Sequence, residues 1–482
     1  MNKPIASGKP QANNYRASAG YYPSPWSGED GGPQRLQAVS GLPGLAIKEG
    51  EALVIEASRR LSTGNMVVLR DPGEVYLMHV DTLRDKLGMH CYSHVEKLDP
   101  ATLKPLKKSP KLAGGSWWPG GFCVHRNGDL YVTFGRWAHR LNADCELLAS
   151  YQLPQDLPYN SHVILDNGFL VTKPIASDGS TSIVVLDPET MTAACPHTVM
   201  PEPSISRLSA IGNHVYVTGI TTIYRYEFDD ATRTLTLDSD WSLNYIGDSS
   251  QEYGWDPVID GQNIWFMDNG KHKMGRTALS MLHAGENPTP NNVIRVATGS
   301  AENFSITPIC GIDNGSVTNP PLYCPLRNIL VAFDSSNSVV RAWRHDPQTD
   351  ELSDLWRREN FGMGGHTIYY PDSGEIVTAD YQSLKTLRGL REGENSVVLD
   401  IETGSEKARI PMGNYMQSAV FPCPGWDRDF YWLGLDRLTR IAVRWMRSCN
   451  LESCAISATR LSEKDWRPGR DWWWMLPKTR IC

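Results

Sequence analysis

The chain has 482 residues, with 47 Lys plus Arg against 54 Asp plus Glu and a formal net charge of −7 at pH 7. That mild acidity, without long like-charge runs, excludes a dedicated nucleic-acid binder and a polybasic membrane-surface protein. A hydrophobic share of 40% suffices for a large core, and 41 Gly, 32 Pro, 16 Trp and 19 Tyr favour turns and aromatic-rich strands over helical bundles.

Residues 1–50 are rich in Gly, Pro and Ser and read as an extended N-terminal segment. They hold no apolar stretch of secretory type, and nowhere do 18 apolar residues run together. A cytoplasmic location and no contact with membranes are the resulting expectations. The 10 cysteines form no CxxC pair, which argues for reduced thiols in strands rather than a metal knuckle or redox motif.

From residue 51 onward the sequence repeats. Strand-like runs follow turn residues at GEVYLMHV (from Gly73), GDLYVTF (Gly128), GFLVTK (Gly168), NHVYVTG (Asn213), QNIWFMD (Gln262), RNILVAFD (Arg327), GEIVTAD (Gly374) and RDFYWLG (Arg428). Their starts lie 40–65 residues apart. A second strand follows most of them and ends on Asp-x-x-Thr: Asp99–Thr102, Asp187–Thr190, Asp229–Thr232, Asp346–Thr349 and Asp400–Thr403. Such an Asp accepts backbone N–H bonds from the residues just after it, so each signature is a turn builder.

Eight hairpin units at this spacing are the mark of radial repetition. On these repeats the chain resembles the β-propeller superfold over residues 51–460, with four antiparallel strands per blade. The expected architecture is all-β and eight-bladed, with seven blades plus an embellishment as the alternative. Neither a Gly-His…Trp-Asp signature nor a kelch pattern occurs, so no named propeller family is matched. The last blade needs an outer strand, which EALVIEAS (51–58) or CAISATRL (454–461) can supply; ring closure would hide sheet edges. Residues 461–482, with Trp472, Trp473 and Trp474, read as a tail packed on the propeller.

Propellers place chemistry in the axial funnel, so the segments entering each blade carry the candidates. Aligned on the strands above, they present an aromatic residue (Trp118, Tyr159, Tyr253 with Trp255, Phe361, Tyr415) and then a small or polar one (Gly120, His162, Arg207, Asp256, Asn319, His366, Gln417). The expected site is a collar of aromatics over convergent polar groups, suited to a small aromatic or apolar substrate. Two chemistries fit. His162, Asp256 and His366 can ligate one divalent metal ion, the only cofactor the sequence suggests. Alternatively His162 or His366 acts as general acid or base, with Arg207 holding an anionic group. The competing reading of each residue is structural, since polar residues lining a propeller channel often bond only water and backbone.

The sequence has no GxGxxG in a strand-to-helix setting, no GxxxxGK[ST], no HExxH and no Gly-x-Ser-x-Gly. Eight Trp-rich blades are superficially similar to the quinoprotein dehydrogenases, but this chain lacks their adjacent-cysteine pair. The expectation is therefore a hydrolase, lyase or isomerase of acid/base type, against a non-catalytic propeller that presents its rim to a protein partner.

Overall fold

The computed structural model describes residues 18–446, apart from 82–83, 85–86, 88, 117, 247–251, 270–288, 316–318, 382–393, 413–421 and 435. Tyr415 and Gln417, the CAISATRL segment and the Trp-rich tail lie outside the described residues. The sequence repeats fold as eight antiparallel sheets of four strands, two of which carry one extra short strand. In chain order the blades span 64–115, 121–152, 159–199, 209–244, 258–308, 322–359, 368–411 and, for the eighth, 423–445 with 51–60. The chain is an eight-bladed β-propeller.

The two inner strands of a blade are sandwiched between neighbouring blades, which is why they read as unbroken apolar runs rather than alternating ones. Met66–Leu69 and Ile329–Phe333 are examples, every residue at most 1% exposed. Outer strands such as Leu147–Gln152 and Phe304–Pro308 alternate or face solvent. The Asp-x-x-Thr turns behave as the sequence requires: the Asp99, Asp187, Asp229 and Asp400 carboxylates each accept the backbone N–H groups two and three residues on. A second carboxylate device closes the opposite ends of the second strands. Asp268, Asp334 and Asp380, all buried, accept the N–H groups of Asn292, Asn337 and Gly362.

The ring closes through the N-terminal strand. Glu51–Arg60 pairs antiparallel with Arg437–Trp445, from Glu51 opposite Trp445 to Arg60 opposite Arg437, with an irregularity between Ile55 and Ala57. First and last blades thereby hide the edges that an open sheet would expose.

The segment preceding this strand does more than lie extended on the surface. It crosses the axis and bonds to every blade in turn. Leu69 N–H donates to Trp26 O, Val124 N–H to Ser27 O, and Ile164 N–H to the Tyr21 hydroxyl, which ties it to blades 1, 2 and 3. Ala210 N–H donates to Pro33 O, and Ile259 N–H to Gln34 O, at blades 4 and 5. The Gln37 side chain donates to Pro321 O at blade 6 and accepts from Thr367 N at blade 7, and Arg428 at blade 8 donates to Leu45 O and Ala46 O. Trp26 at 1% exposure and Leu45 at 0% anchor the segment in apolar surroundings. The plug fills the space that propeller geometry leaves at the centre.

Candidate functional site

The plug brings an acidic dipeptide to the axis inside the turn Gly28–Glu29–Asp30–Gly31–Gly32. Asp30 sits in the left-handed region at φ 52°, and Arg35 and Gln37 follow at φ 55° each. Such backbone is uncommon outside Gly and Asn and persists only where surrounding contacts fix it. Those contacts are ionic. Arg35 Nη1 lies 3.0 Å from Glu29 Oε2 and 3.0 Å from Asp30 Oδ2, while its Nη2 donates to Ser161 Oγ at 2.7 Å and its Nε to Leu208 O at 2.8 Å.

The blades supply the other half. Arg207 Nε lies 3.5 Å from Glu29 Oε2 and its Nη1 3.3 Å from Asp256 Oδ2, whose other oxygen accepts Arg207 N–H at 2.6 Å. His366 Nδ1 lies 2.7 Å from Asp30 Oδ1. His162 is held at Nδ1 by the Thr133 hydroxyl at 3.0 Å, and its buried Nε2 has no hydrogen-bond partner among the described residues. Lys173, fully buried, donates to the Pro174 and Ser204 carbonyls. Each of Glu29, Asp30, Arg35, His162, Lys173, Arg207, Asp256 and His366 is at most 3% exposed.

Electrostatics in this enclosed cluster sort the protonation states. Burial pushes the Asp30 carboxyl upward, but His366, Arg35 and Arg207 outweigh it and hold it below its ordinary value. Burial raises the Glu29 carboxyl, with Arg35 and Arg207 opposing. Burial lowers His366 against the pull of Asp30. An ionised Asp30 only accepts, so the neutral His366 imidazole carries its proton on Nδ1 and keeps the lone pair on Nε2. Burial and the Arg35 charge press His162 down to about 3. Burial likewise lowers Lys173 to about 7, with Asp256 opposing.

Of the residues picked out in the sequence, Arg207, Asp256 and His366 meet in this one cluster, with His162 at its edge. The metal-ligand set of His162, Asp256 and His366 does not form. Among the described residues no three His, Cys, Asp or Glu side chains lie together as a metal site. The reason is prior engagement: Asp256 is spent on Arg207, His366 on Asp30 and His162 on Thr133. Tyr253, Trp255 and Phe361 belong to one apolar cluster with Met363, Ile175 and Ile205, and the partly buried Trp118 packs against it. Tyr159 does not; it packs between blades 2 and 3 with Tyr21 and Cys123. Asn319 is buried and donates to Gly364 O, bridging blades 6 and 7.

The sequence reading missed Glu29, Asp30 and Arg35, which lie outside the repeat. It also missed Lys173, although Lys173 closes GFLVTK as Asp268, Asp334 and Asp380 close their strands, and a fourth polar residue at that place was a readable signal.

One recess reaches this cluster. It is a small gap of about 10 Å³ between blades 7 and 8, room for a single water, and is lined by Gly365, His366, Ala379, Tyr381, Pro422, Trp432 and Leu433. Its aromatic walls are fixed from behind by Glu394, which accepts from Trp432 Nε1 at 3.1 Å. Burial pushes the Glu394 carboxyl well above the usual carboxylate range, with hydrogen bonds from Trp432 and Tyr381 opposing.

No protein-family model matches the chain, and no curated protein sequence matches it. Solved structures do. The quinohemoprotein alcohol dehydrogenase of Comamonas testosteroni is similar with a TM-score of 0.58 at 11% identity, over 88% of this chain and 82% of that one. BamB of Moraxella catarrhalis is similar with a TM-score of 0.50 at 10% identity, over 81% of this chain and the whole of that one. At such identities the likeness is one of fold. The chain is thus an eight-bladed β-propeller similar in architecture to these proteins, with its own plug across the axis.

Proposed function

We propose that this propeller is an acid/base enzyme acting on a small apolar or aromatic molecule, with His366 as the proton-transferring group. The observation that carries this reading is the His366–Asp30 pair at 2.7 Å on the wall of the aromatic-lined recess. A carboxylate on Nδ1 fixes tautomer and ring orientation and supports the imidazolium that forms when Nε2 takes a proton. At about 10 Å³ the recess is far below the ~300–1,000 Å³ of drug-sized sites, so the reading requires Tyr381 or Trp432 to turn aside and admit a compact molecule. Tyr381 and Trp432 supply its apolar contact surface. Hydrolysis, elimination and isomerisation all use such a base.

A second reading, a non-catalytic propeller that binds a protein partner, is favoured by a separate observation: Arg207 and Asp256 are engaged with each other and with the plug. One experiment separates them. A panel of small aromatic and apolar esters, lactones and alcohols is screened by thermal shift, and the compounds that bind are assayed for turnover. The enzymatic reading expects a compound that raises the melting temperature of the wild type but not of Trp432→Leu, and whose conversion is lost in His366→Ala. Conversion that survives His366→Ala overturns it, and a panel without any binder favours the scaffold.

A further inference from the structure

Two donors that the blades present, Arg207 and His366, meet the two carboxylates that the plug brings, Glu29 and Asp30. From the blades come the Arg207 guanidinium, which also pairs with the Asp256 carboxylate, and the His366 Nδ1–H. From the plug come Glu29 and Asp30 against Arg35. Bringing carboxylates into an enclosed space is costly unless each finds charge-assisted donors. Glu29 and Asp30 find them in side chains of blades 4 and 7 as well as in Arg35 of their own segment. The turn that presents them is held in left-handed backbone at Asp30, so the dipeptide is delivered to that place rather than left there by chance.

We infer that the axial chamber is a carboxylate-binding site that the chain occupies with its own Glu29 and Asp30. The class of ligand it recognises is a small carboxylate anion: Arg207 and Arg35 supply the guanidinium contacts and His366 the directed hydrogen bond. The plug holds the site in the manner of a bound ligand that happens to be covalently attached. The inference is independent of turnover at His366, because it concerns which anion the chamber holds and not what His366 does to a substrate.

The test is rescue in trans. Asp30→Gly removes the carboxylate and leaves a residue suited to φ 52°. The probe is sodium acetate, compared with sodium chloride at equal ionic strength, and the readout is the melting temperature. The expected result is a loss of several degrees in Asp30→Gly, at least half of it recovered by acetate, not by chloride, and with no acetate effect on the wild type. Equal action of the two salts on the variant, or an equal acetate gain in the wild type, overturns the inference. If Asp30→Gly does not fold in either salt, the same comparison on Glu29→Ala, which keeps the Asp30–His366 bond, decides it by the same criterion.

Discussion

Asp30 and His366 stand 336 residues apart in the chain and 2.7 Å apart at the propeller axis. One comes from a turn outside the repeat and the other from the entry to blade 7, so the bond ties the plug to the ring at its centre. Both groups titrate below their ordinary values, so at neutral pH the carboxylate is ionised and the imidazole neutral.

That state predicts the effect of Asp30→Asn. The amide still accepts from Nδ1–H but no longer stabilises an imidazolium, so burial loses its main opposition and the His366 titration moves further down. Imidazole proton resonances followed against pH measure it. A titration that stays put or rises would show that Asp30 does not set the charge state of His366.

Arg35 offers a stability prediction. It bridges Glu29, Asp30, Ser161 and Leu208, and removing it leaves two buried carboxylates short of a partner. Arg35→Met is expected to destabilise the protein by ~3–5 kcal/mol, the usual result of breaking a buried ion pair on one side. The triple variant with Glu29→Gln and Asp30→Asn is expected to recover part of that loss, because no uncompensated charge remains. Chemical denaturation of both variants checks the pair; a triple variant weaker than Arg35→Met would contradict the ionic account.

Acid sensitivity follows from two buried histidines. Burial presses His162 down to about 3 and His139 to about 4, from ordinary values of 6.5, His139 being fully bonded to Ser150 Oγ and Ala113 O. Between pH 6.5 and 4 the unfolded chain binds protons that the folded chain refuses. Stability therefore falls as the pH drops through that window, each histidine adding a slope that approaches ~1.4 kcal/mol per pH unit. Urea titrations at several pH values should show this dependence, and His139→Gln should flatten it by one histidine's share. A stability independent of pH from 6.5 to 4 would count against the buried, neutral state of both rings.

The closing strand gives a fourth prediction. Leu53 is 6% exposed in the core shared with blades 1, 7 and 8, and Glu51–Arg60 is the outer strand of the last blade. Leu53→Asp is expected to lower the melting temperature more than Val54→Asp, since Val54 is 42% exposed on the same strand. Calorimetry of the two variants distinguishes a ring closed by this strand from one in which it is dispensable.

The ring itself was legible because hairpin chemistry is local. Each Asp-x-x-Thr turn and each apolar run carries its own signature within ten residues, and repetition turned weak signals into a strong one. EALVIEAS was recognisable as a closing strand because an open blade has an edge to hide. Counting along the repeat put Arg207, Asp256 and His366 at equivalent places, and in the structure they are joined through Glu29 and Asp30 of the plug. What repetition cannot show is an element that does not repeat. The plug is Gly- and Pro-rich because it turns often, and it is buried through backbone bonds to the ends of blade strands rather than through apolar periodicity, so its composition mimics a linker. Trp26 and the Glu29–Asp30 pair between glycines were its only advertisements. Tyr159 went astray for a related reason: the repeat gives a residue's height along the strand but not which neighbouring blade its ring leans against.

The pairing of Glu51 with Trp445 also sets a clock on the ribosome. The strand Glu51–Arg60 leaves the tunnel early, yet its partner Arg437–Trp445 is made nearly four hundred residues later. At ~5–20 residues per second the early strand waits on the order of 20–80 s for its mate. Meanwhile seven blades accumulate with an open seam on either side. Glu56, Arg59 and Arg60 on the waiting strand are the charges that discourage a neighbouring nascent chain from taking the vacant place. A protein built this way is vulnerable to the loss of Arg437–Trp445 in a manner out of proportion to the nine residues that strand contains.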